Sequence, residues 1–441
     1  MFTRKDLVKL LAPLIIEQIL AVLVGMVDVV MVAAVGETAV SGVSLVDAIN
    51  MLIIQMLAAL ATGGAVVSAQ FIGRKDTERA CKAAGQLISV TTMASVGLMT
   101  FALVTNRSLL RLVFGTVEEA VMENAVVYFA ITASSFPFLA LYNSCAALYR
   151  SMGNSKVSMT VSIIMNVMNI VGNAVCIFGL HMGVEGVAYP TLVSRMTAAV
   201  IMFMLIRRPS NQIRLKSFRD LRPDRRMIGN ILGVGIPNGL ENSIFQVGKL
   251  TLQSLVSSLG TTALASYAVA SNVVTLQYLP GTAIGLGMIT IIGQCVGAGE
   301  IEQAKGYARL LVKLNYLCLM VICTAMLFGG GYIVGMYNLS PAAAEEARQM
   351  MTAHACAMII WPLAFALPNA LRASLDAKFT MLVSVSSMWI FRVALAYWFV
   401  KGLNLGIMGV WYGMFVDWGF RALLFTIRFA SFGKRKIRRL E

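Results

Sequence analysis

Residues 207–226 read RRPSNQIRLKSFRDLRPDRR, a basic stretch bracketed by Pro209 and Pro223 in a chain that is otherwise mostly apolar. Six apolar segments lie on either side of it. Those before it run near 10–33, 45–72, 82–104, 120–149, 157–180 and 184–206. Those after it run near 228–256, 262–295, 307–335, 343–371, 379–400 and 405–429. Each is roughly 20 residues or longer, the length an α-helix needs to cross about 30 Å of hydrocarbon. The 441 residues are 58% hydrophobic and 13% charged, whereas soluble domains carry about 25% charged residues. Lipid rather than water must therefore face much of the surface. Ten prolines, few tight-turn dipeptides and no two-residue alternation argue against a β-barrel. The expectation is an all-α polytopic membrane protein of about twelve transmembrane helices. It divides into 1–206, a cytoplasmic basic linker 207–227, 228–429 and a basic cytoplasmic tail 430–441.

The net charge of +15 would suit a nucleic-acid binder, but its placement points elsewhere. Arg4, Lys5 and Lys9 open the chain, followed by Arg74, Lys75, Arg79 and Lys82, then Arg150 and Lys156. After the 207–226 stretch come Lys305, Arg309 and Lys313, then Arg372 and Lys378, and last the run from Lys434 to Arg439. These groups fill alternate gaps between apolar segments, and the other gaps hold only Arg107, Arg111, Arg348 and Lys401. That is the positive-inside pattern, which predicts both termini in the cytoplasm, a lipid bilayer as surroundings and no nucleic-acid partner. The first apolar run is too long for a signal-peptide core, so no cleavage is expected. Seven scattered cysteines read as small apolar fillers, and His181 and His354 share no motif with them or with each other. No cofactor and no metal site are expected. An integral-membrane enzyme would need Asp, His or Cys clustered at a membrane face, and no such cluster is present, so the chain is not expected to be an enzyme.

The two halves repeat. Pro13 and Pro237 stand 224 residues apart, as do Glu17 and Glu241, Gly36 and Gly260, Ala39 and Ala263, Gly63 and Gly287, Gln70 and Gln294, and Gly73 and Gly297. Further on the register drifts slightly: Arg150-x5-Lys156 matches Arg372-x5-Lys378, and Gly183-x-x-Gly186 matches Gly406-x-x-Gly409. Six spans per half is an even number, so both halves enter the membrane from the same side. The result is two six-helix lobes in a parallel pseudo-two-fold repeat, the plan of transporters that rock two lobes about a central site.

Ionisable groups at bilayer depth usually face a cavity or a partner. The acidic candidates are Glu17, Asp28, Asp47, Glu241 and Asp417; the basic ones are Arg195, Lys249, Arg392 and Arg421. Glu17 and Asp28 lie close to three helical turns apart, about 16 Å along the axis, and face nearly the same way. Asp28 is read as the deeper of the two and as the carboxylate that carries the coupling ion. Glu17 is read as a substrate or gating group, and so are Glu241, Gln246, Lys249 and Gln253 on the seventh span. Lys249 needs an acidic partner, for which Glu241 and Asp28 are the candidates. Asn169 and Asn173 share one face of the fifth span, with Asn166 nearby, and can reach Asp28 or glue helices together. Asp417 and Arg421 have the spacing of an intrahelical ion pair. Pro13 and Pro237 either kink the first span of each lobe or mark its first turn.

The fragments P13LIIEQ, MVD28VVMVAAVG36 and Q70FIG73RKD are met in that order in the first half. GIP237NGLENSIFQVGK, LG260TTALASYAVASN, IIGQ294CVG297AGE and D417WGFR421 follow in the second. Together they resemble the multidrug and toxic compound extrusion (MATE) family over nearly the whole chain, nearest its DNA-damage-inducible-type bacterial branch. The resemblance implies a V-shaped, alternating-access antiporter of a bacterial inner membrane, acting as a monomer. It would expel organic, typically cationic and apolar, small molecules in exchange for H⁺ or Na⁺. It places cation coupling at Asp28 with Asn169, and Na⁺ would sit at Asp28. The sequence departs from the family at Asn173, where other members carry a second aspartate. It departs again at Phe245, where another branch has a glutamate, and the tenth span has no acid beyond Glu345 and Glu346. The alternative within the same superfamily is a flippase for lipid-linked precursors or polysaccharide.

Overall fold

A computed structural model describes residues 1–115, 117–215, 221–337 and 339–432. Among the described residues there is helix and no strand. The first half contains α1 (Arg4–Ala33), α2 (Glu37–Gly73), α3 (Thr77–Phe114), α4 (Glu119–Ser134 and Phe136–Ser151), α5 (Ser155–Gly179) and α6 (Glu185–Ile206). The second contains α7 (Arg225–Ser257), α8 (Thr261–Ala298), α9 (Ile301–Gly335), α10 (Pro341–Ala357 and Pro362–Ala373), α11 (Ala377–Gly402) and α12 (Gly406–Ala430). This is the all-α, two-lobe fold the hydropathy pattern predicts. Eight of these helices are long and apolar enough to cross a membrane unaided, and α4 and α10 reach that length as pairs bent by 43° and 68°. At 33 and 25 residues, α7 and α12 have the length but are diluted by polar side chains, Glu241 and Lys249 in one and Asp417 and Arg421 in the other. Such residues persist at membrane depth where they face the bundle interior.

Several helices outrun the apolar segments that announce them, because capped polar turns extend their ends. Thr3 and Asp6 form a capping box at the start of α1, and Asp76 accepts the Arg79 N–H at the start of α3. Pro13 and Pro237 lie well inside continuous helices, so neither marks a first turn. The actual breaks come at Ser135 and at 358–361, each just ahead of a proline (Pro137, Pro362) that opens the next segment. Proline is tolerated there because the first-turn N–H groups need no helical partner.

The repeat is written in the backbone. Left-handed residues occur in matched turns: Gly36 (φ 137°) with Gly260 (103°), Lys75 (62°) with Gly299 (86°), Gly153 (78°) with Leu375 (65°), and His181 (52°) with Asn404 (53°). A π-helical turn closes α5 at Val175–Gly179, and another closes α11 at Trp398–Gly402.

Two compact units result, Phe2–Gly239 and Leu240–Glu441 with Met1. In the first, Leu57, Leu110, Phe129 and Phe136 are almost wholly buried at the core. Here α2 crosses the start of α7 at paired glycines, where a Cβ on Gly63 would stand 2.8 Å from the Gly235 nitrogen. Described parts of the 207–227 stretch lie on this same unit. Asn211 Nδ2 donates to Tyr149 at 3.0 Å, and Gln86 of α3 donates to the Arg222 carbonyl at 2.7 Å and accepts the Asp224 N–H at 2.9 Å. Asp224 accepts the N–H groups of Arg226 and Met227 and so caps α7. Its carboxyl is held below the ordinary carboxylate range chiefly by the hydrogen bond from Lys82, at 2.5 Å. In the second unit α8 is buried along most of its length, and Met350, Met388, Trp361, Trp411 and Trp418 complete the core. The run from Lys434 to Arg439 lies outside the described residues.

Candidate functional site

Within the first unit a cavity of about 300 Å³ opens between α1, α2, α4, α5 and α6. Asp28 enters it from α1, five residues before that helix ends at Ala33, and so lies nearer a helix end than Glu17. Asn173 of α5 is fully buried behind the cavity and donates its amide to Asp28 Oδ1 at 3.0 Å. The same amide lies 3.5 Å from Asn169 Oδ1, and Asn169 Nδ2 donates to Thr191 of α6 at 3.0 Å. A polar chain thus runs Asp28, Asn173, Asn169, Thr191 across three helices. It depends on a close approach of α5 to α6, since a Cβ on Gly172 would stand 2.7 Å from Pro190 Cβ. The Asn173 Oδ1 atom is buried without a hydrogen-bond partner.

Asp47 of α2 faces the same cavity and accepts the Tyr128 hydroxyl at 3.3 Å. Arg195 of α6 also lines it and donates to Ser135 at 2.7 Å, at the break in α4. Asn166 lines the wall and turns to Ser162 at 3.5 Å. Tyr128, Ser135 and Thr191 carry no sequence signal of their own, because hydroxyls at helical spacing are common in membrane helices.

Glu17 belongs elsewhere. Ser158 of α5 donates to its Oε2 at 3.2 Å, and Arg150 Nη1 stands 3.8 Å from its Oε1. Glu17 and Asp28 of α1 therefore both face α5. In the second unit Glu241, the twin of Glu17, accepts Arg372 Nη2 at 2.7 Å, while Arg372 Nη1 donates to Asn369 at 2.9 Å. The two arginines sit at matched positions of the repeat. In sequence they look like surface charges; in the fold they turn inward.

A second cavity of about 370 Å³ lies within Leu240–Glu441, between α7, α8, α10, α11 and α12. Lys249 and Gln253 reach it from α7; Gln246 does not line it. The expected pairing of Lys249 with a carboxylate is not formed. Arg372 occupies Glu241, and among the described residues no acid pairs with Lys249, whose Nζ stands 5.2 Å from the Phe245 ring centre. Behind the cavity, Arg421 Nε donates to Asp417 Oδ1 at 2.7 Å, Ser387 donates to the same oxygen at 2.5 Å, and Arg392 Nη1 stands 3.7 Å from Oδ2. Arg392 is carried on a π-helical stretch, Met388–Ala394, whose wider turn shifts the angle at which side chains leave the helix. Trp361 stacks between Tyr278 (6.1 Å) and Phe365 (5.3 Å), and the His354 ring meets Trp411 and Trp418 edge-on at 5.3 and 5.2 Å. His354 Nδ1 pairs with Gln277 Oε1 at 2.5 Å. Of the two acids in the first turns of α10, Glu345 pairs with Arg348 on the surface, while Glu346 turns inward to accept Ser266 at 2.8 Å.

A family model described as MatE matches the chain twice, over residues 13–175 and 237–398, at corresponding places in the two halves. The chain belongs to the MatE family. It is 27% identical to the uncharacterized transporter YisQ of Bacillus subtilis, with 95% of this chain and 92% of that protein covered. It is 26% identical to a probable multidrug resistance protein, NorM, of Thermotoga maritima, with 97% and 92% covered. A solved multidrug resistance MATE transporter of the MOP superfamily, in an outward-facing conformation, superposes with a TM-score of 0.91 at 20% identity, covering 98% of this chain and 97% of that one. The fold and the family are therefore those of membrane transporters, with multidrug resistance proteins among the relatives.

Proposed function

We propose that this MatE-family chain is a cation-coupled efflux antiporter of a bacterial cytoplasmic membrane, with Asp28 as the carrier of H⁺ or Na⁺. The observation that carries the reading is the Asn173–Asp28 hydrogen bond beside a buried, partnerless Asn173 oxygen. An ionised Asp28 accepts the amide N–H; a protonated Asp28 has an O–H to donate, and rotating the Asn173 amide would offer it that oxygen. One neighbour can thus serve both charge states, while Asn169 relays the change to Thr191 on α6. For Na⁺ the same groups offer hard oxygen ligands. Unlike a two-carboxylate site, this cluster pairs Asp28 with amides, and Asp47 and Arg195 set the charge of the cavity around it. Glu17 and Glu241, each held by an arginine, are assigned to gating rather than coupling. Residues 1–206 and 228–429 would then be the moving lobes of a monomer whose 207–227 linker and termini face the cytoplasm.

The test is transport in proteoliposomes with proton and Na⁺ gradients imposed separately. Asp28→Asn should abolish the response to the coupling gradient while leaving the melting temperature within a few degrees of the parent. An unchanged gradient response would sink the assignment of Asp28. A second reading, a flippase for lipid-linked phosphates, is favoured by the basic character of the second cavity, where Lys249 and Arg392 would hold phosphate.

A further inference from the structure

The second cavity differs from the first in what it lacks. No carboxylate lines it, while Lys249 and Arg392 do. Of the charges just behind, Asp417 is engaged by Arg421 and Ser387 and faced by Arg392, so the cavity and its back wall hold Lys249, Arg392 and Arg421 to one acid. Hydroxyls and the Gln253 amide in the lining can both donate and accept. Among the buried polar atoms without a partner in this cavity and its back wall, Asp417 Oδ2 behind the cavity is an acceptor, while three are donors. Arg392 Nε, Trp411 Nε1 and Trp418 Nε1 are all buried without a partner, although these residues are only 8%, 3% and 3% exposed. Buried N–H groups left unpaired are unfavourable, and what satisfies them is an acceptor.

The aromatic walls do not make this a cation site. Aromatic faces attract cations through their quadrupole, but the Phe245 ring already has Lys249, Arg392 and Arg421 at 5.2, 5.2 and 5.3 Å. Arg421 also stands 5.4 Å from the Phe365 ring. The rest of the wall is aromatic, the stacked Tyr278, Trp361 and Phe365 together with Trp411 and Trp418. At about 370 Å³ the cavity falls in the range that holds a drug-sized ligand.

We propose that the cavity between α7, α8, α10, α11 and α12 binds aromatic organic anions, a flat ring system bearing a sulfonate or carboxylate. The anionic group sits against Lys249 and Arg392, and the ring system lies against the aromatic wall. This is opposite in sign to the cargo that the family resemblance implies. That the anion is exported rests on the efflux reading above; that it binds does not.

The experiment is calorimetric titration of the purified full-length chain in detergent, with no gradient present. The probes are 1-naphthalenesulfonate and its cationic counterpart 1-naphthylmethylammonium, with farnesyl phosphate as the lipid-phosphate arm. The sulfonate should bind at least about tenfold more tightly than the ammonium, a difference of about 1.4 kcal/mol. Lys249→Gln should weaken the sulfonate about tenfold, and Lys249→Arg should restore most of that loss. Asp28→Asn should leave sulfonate binding unchanged, which separates this proposal from the coupling assignment. Equal binding of the ammonium, or no effect of Lys249→Gln, overturns the proposal. So does farnesyl phosphate binding where the sulfonate does not, which would assign the site to lipid phosphates.

Discussion

Replacing Arg372 by methionine should destabilise the second unit more than almost any other single change. Glu241 is 7% exposed, one of its oxygens already lacks a partner, and the other accepts Arg372 at 2.7 Å. At that separation, with an effective dielectric constant of about 20, the attraction is about 6 kcal/mol. Most of it offsets the cost of desolvating both ions. Removing one partner strands the other charge, for which about 3–5 kcal/mol is the expected penalty. For a unit of this size each kcal/mol moves the melting temperature by about 2–4 °C, so Arg372→Met should melt roughly 6–20 °C below the parent. The Glu241→Met, Arg372→Met double variant leaves no stranded ion and should recover most of the loss. Thermal melting followed by tryptophan fluorescence reads this directly, since all five tryptophans (Trp361, Trp389, Trp398, Trp411 and Trp418) belong to the second half. Single and double variants melting together, or Arg372→Met melting like the parent, would refute the reasoning. The twin pair should be less sensitive. Glu17 and Arg150 stand 3.8 Å apart, and Glu17 keeps its Ser158 hydrogen bond when the arginine is gone.

Gly172→Ala should push α5 from α6 at Pro190, costing about 1–3 kcal/mol of stability; the Asn169–Thr191 link should loosen, and coupled transport should fall further than the melting temperature alone accounts for. Gly281→Ala places a methyl group against the Trp361 ring, so tryptophan emission should shift and naphthalenesulfonate binding should weaken while the first unit's melting is unchanged. Asp224→Ala removes the cap of α7 and should cost about 1 kcal/mol near neutral pH. Because the folded carboxyl titrates below its ordinary value of 3.8, its contribution is complete above that value and is lost as the pH falls through the lower folded one. Circular-dichroism melts of parent and variant should therefore differ by a constant amount near neutrality and converge in acid.

The fold was legible because hydropathy measures the one thing a bilayer demands, and every predicted span falls on an observed helix, although α1, α2, α3 and α9 run five to ten residues beyond theirs at one or both ends. What hydropathy cannot report is the direction in which a polar side chain turns. Arg150 and Arg372 have the composition and position of cytoplasmic charges, yet each points back into its bundle to meet a glutamate. The repeat was the available clue, since Arg-x5-Lys recurs at the positions that bring both arginines to the twin glutamates. Helical periodicity put Asn169 and Asn173 on one face because i, i+4 neighbours share one, and left open whether that face meets Asp28 or another helix; Asn173 meets Asp28. Periodicity could not supply Tyr128 or Ser135, whose roles depend on the break in α4. Lys249 shows the opposite failure. Its need for an acid was inferred from the cost of an unpaired charge, but facing an open cavity removes that cost without a partner. The aromatic cage was written as Trp361-x3-Phe365 and as Trp411 and Trp418 seven residues apart, spacings as common in lipid-facing helices as in binding sites.

The matched left-handed turns have a consequence for how such a chain can diverge. After a gene duplicates and fuses, the corners where helices reverse must keep their handedness or the bundle cannot close. This holds even where one copy carries another residue in place of glycine, as Lys75 and Leu375 show against Gly299 and Gly153. Pocket-lining side chains escape that restraint, so one copy is free to keep its acids while the other gathers arginine, lysine and tryptophan. A lineage built this way can acquire new chemistry in one half without redrawing its frame.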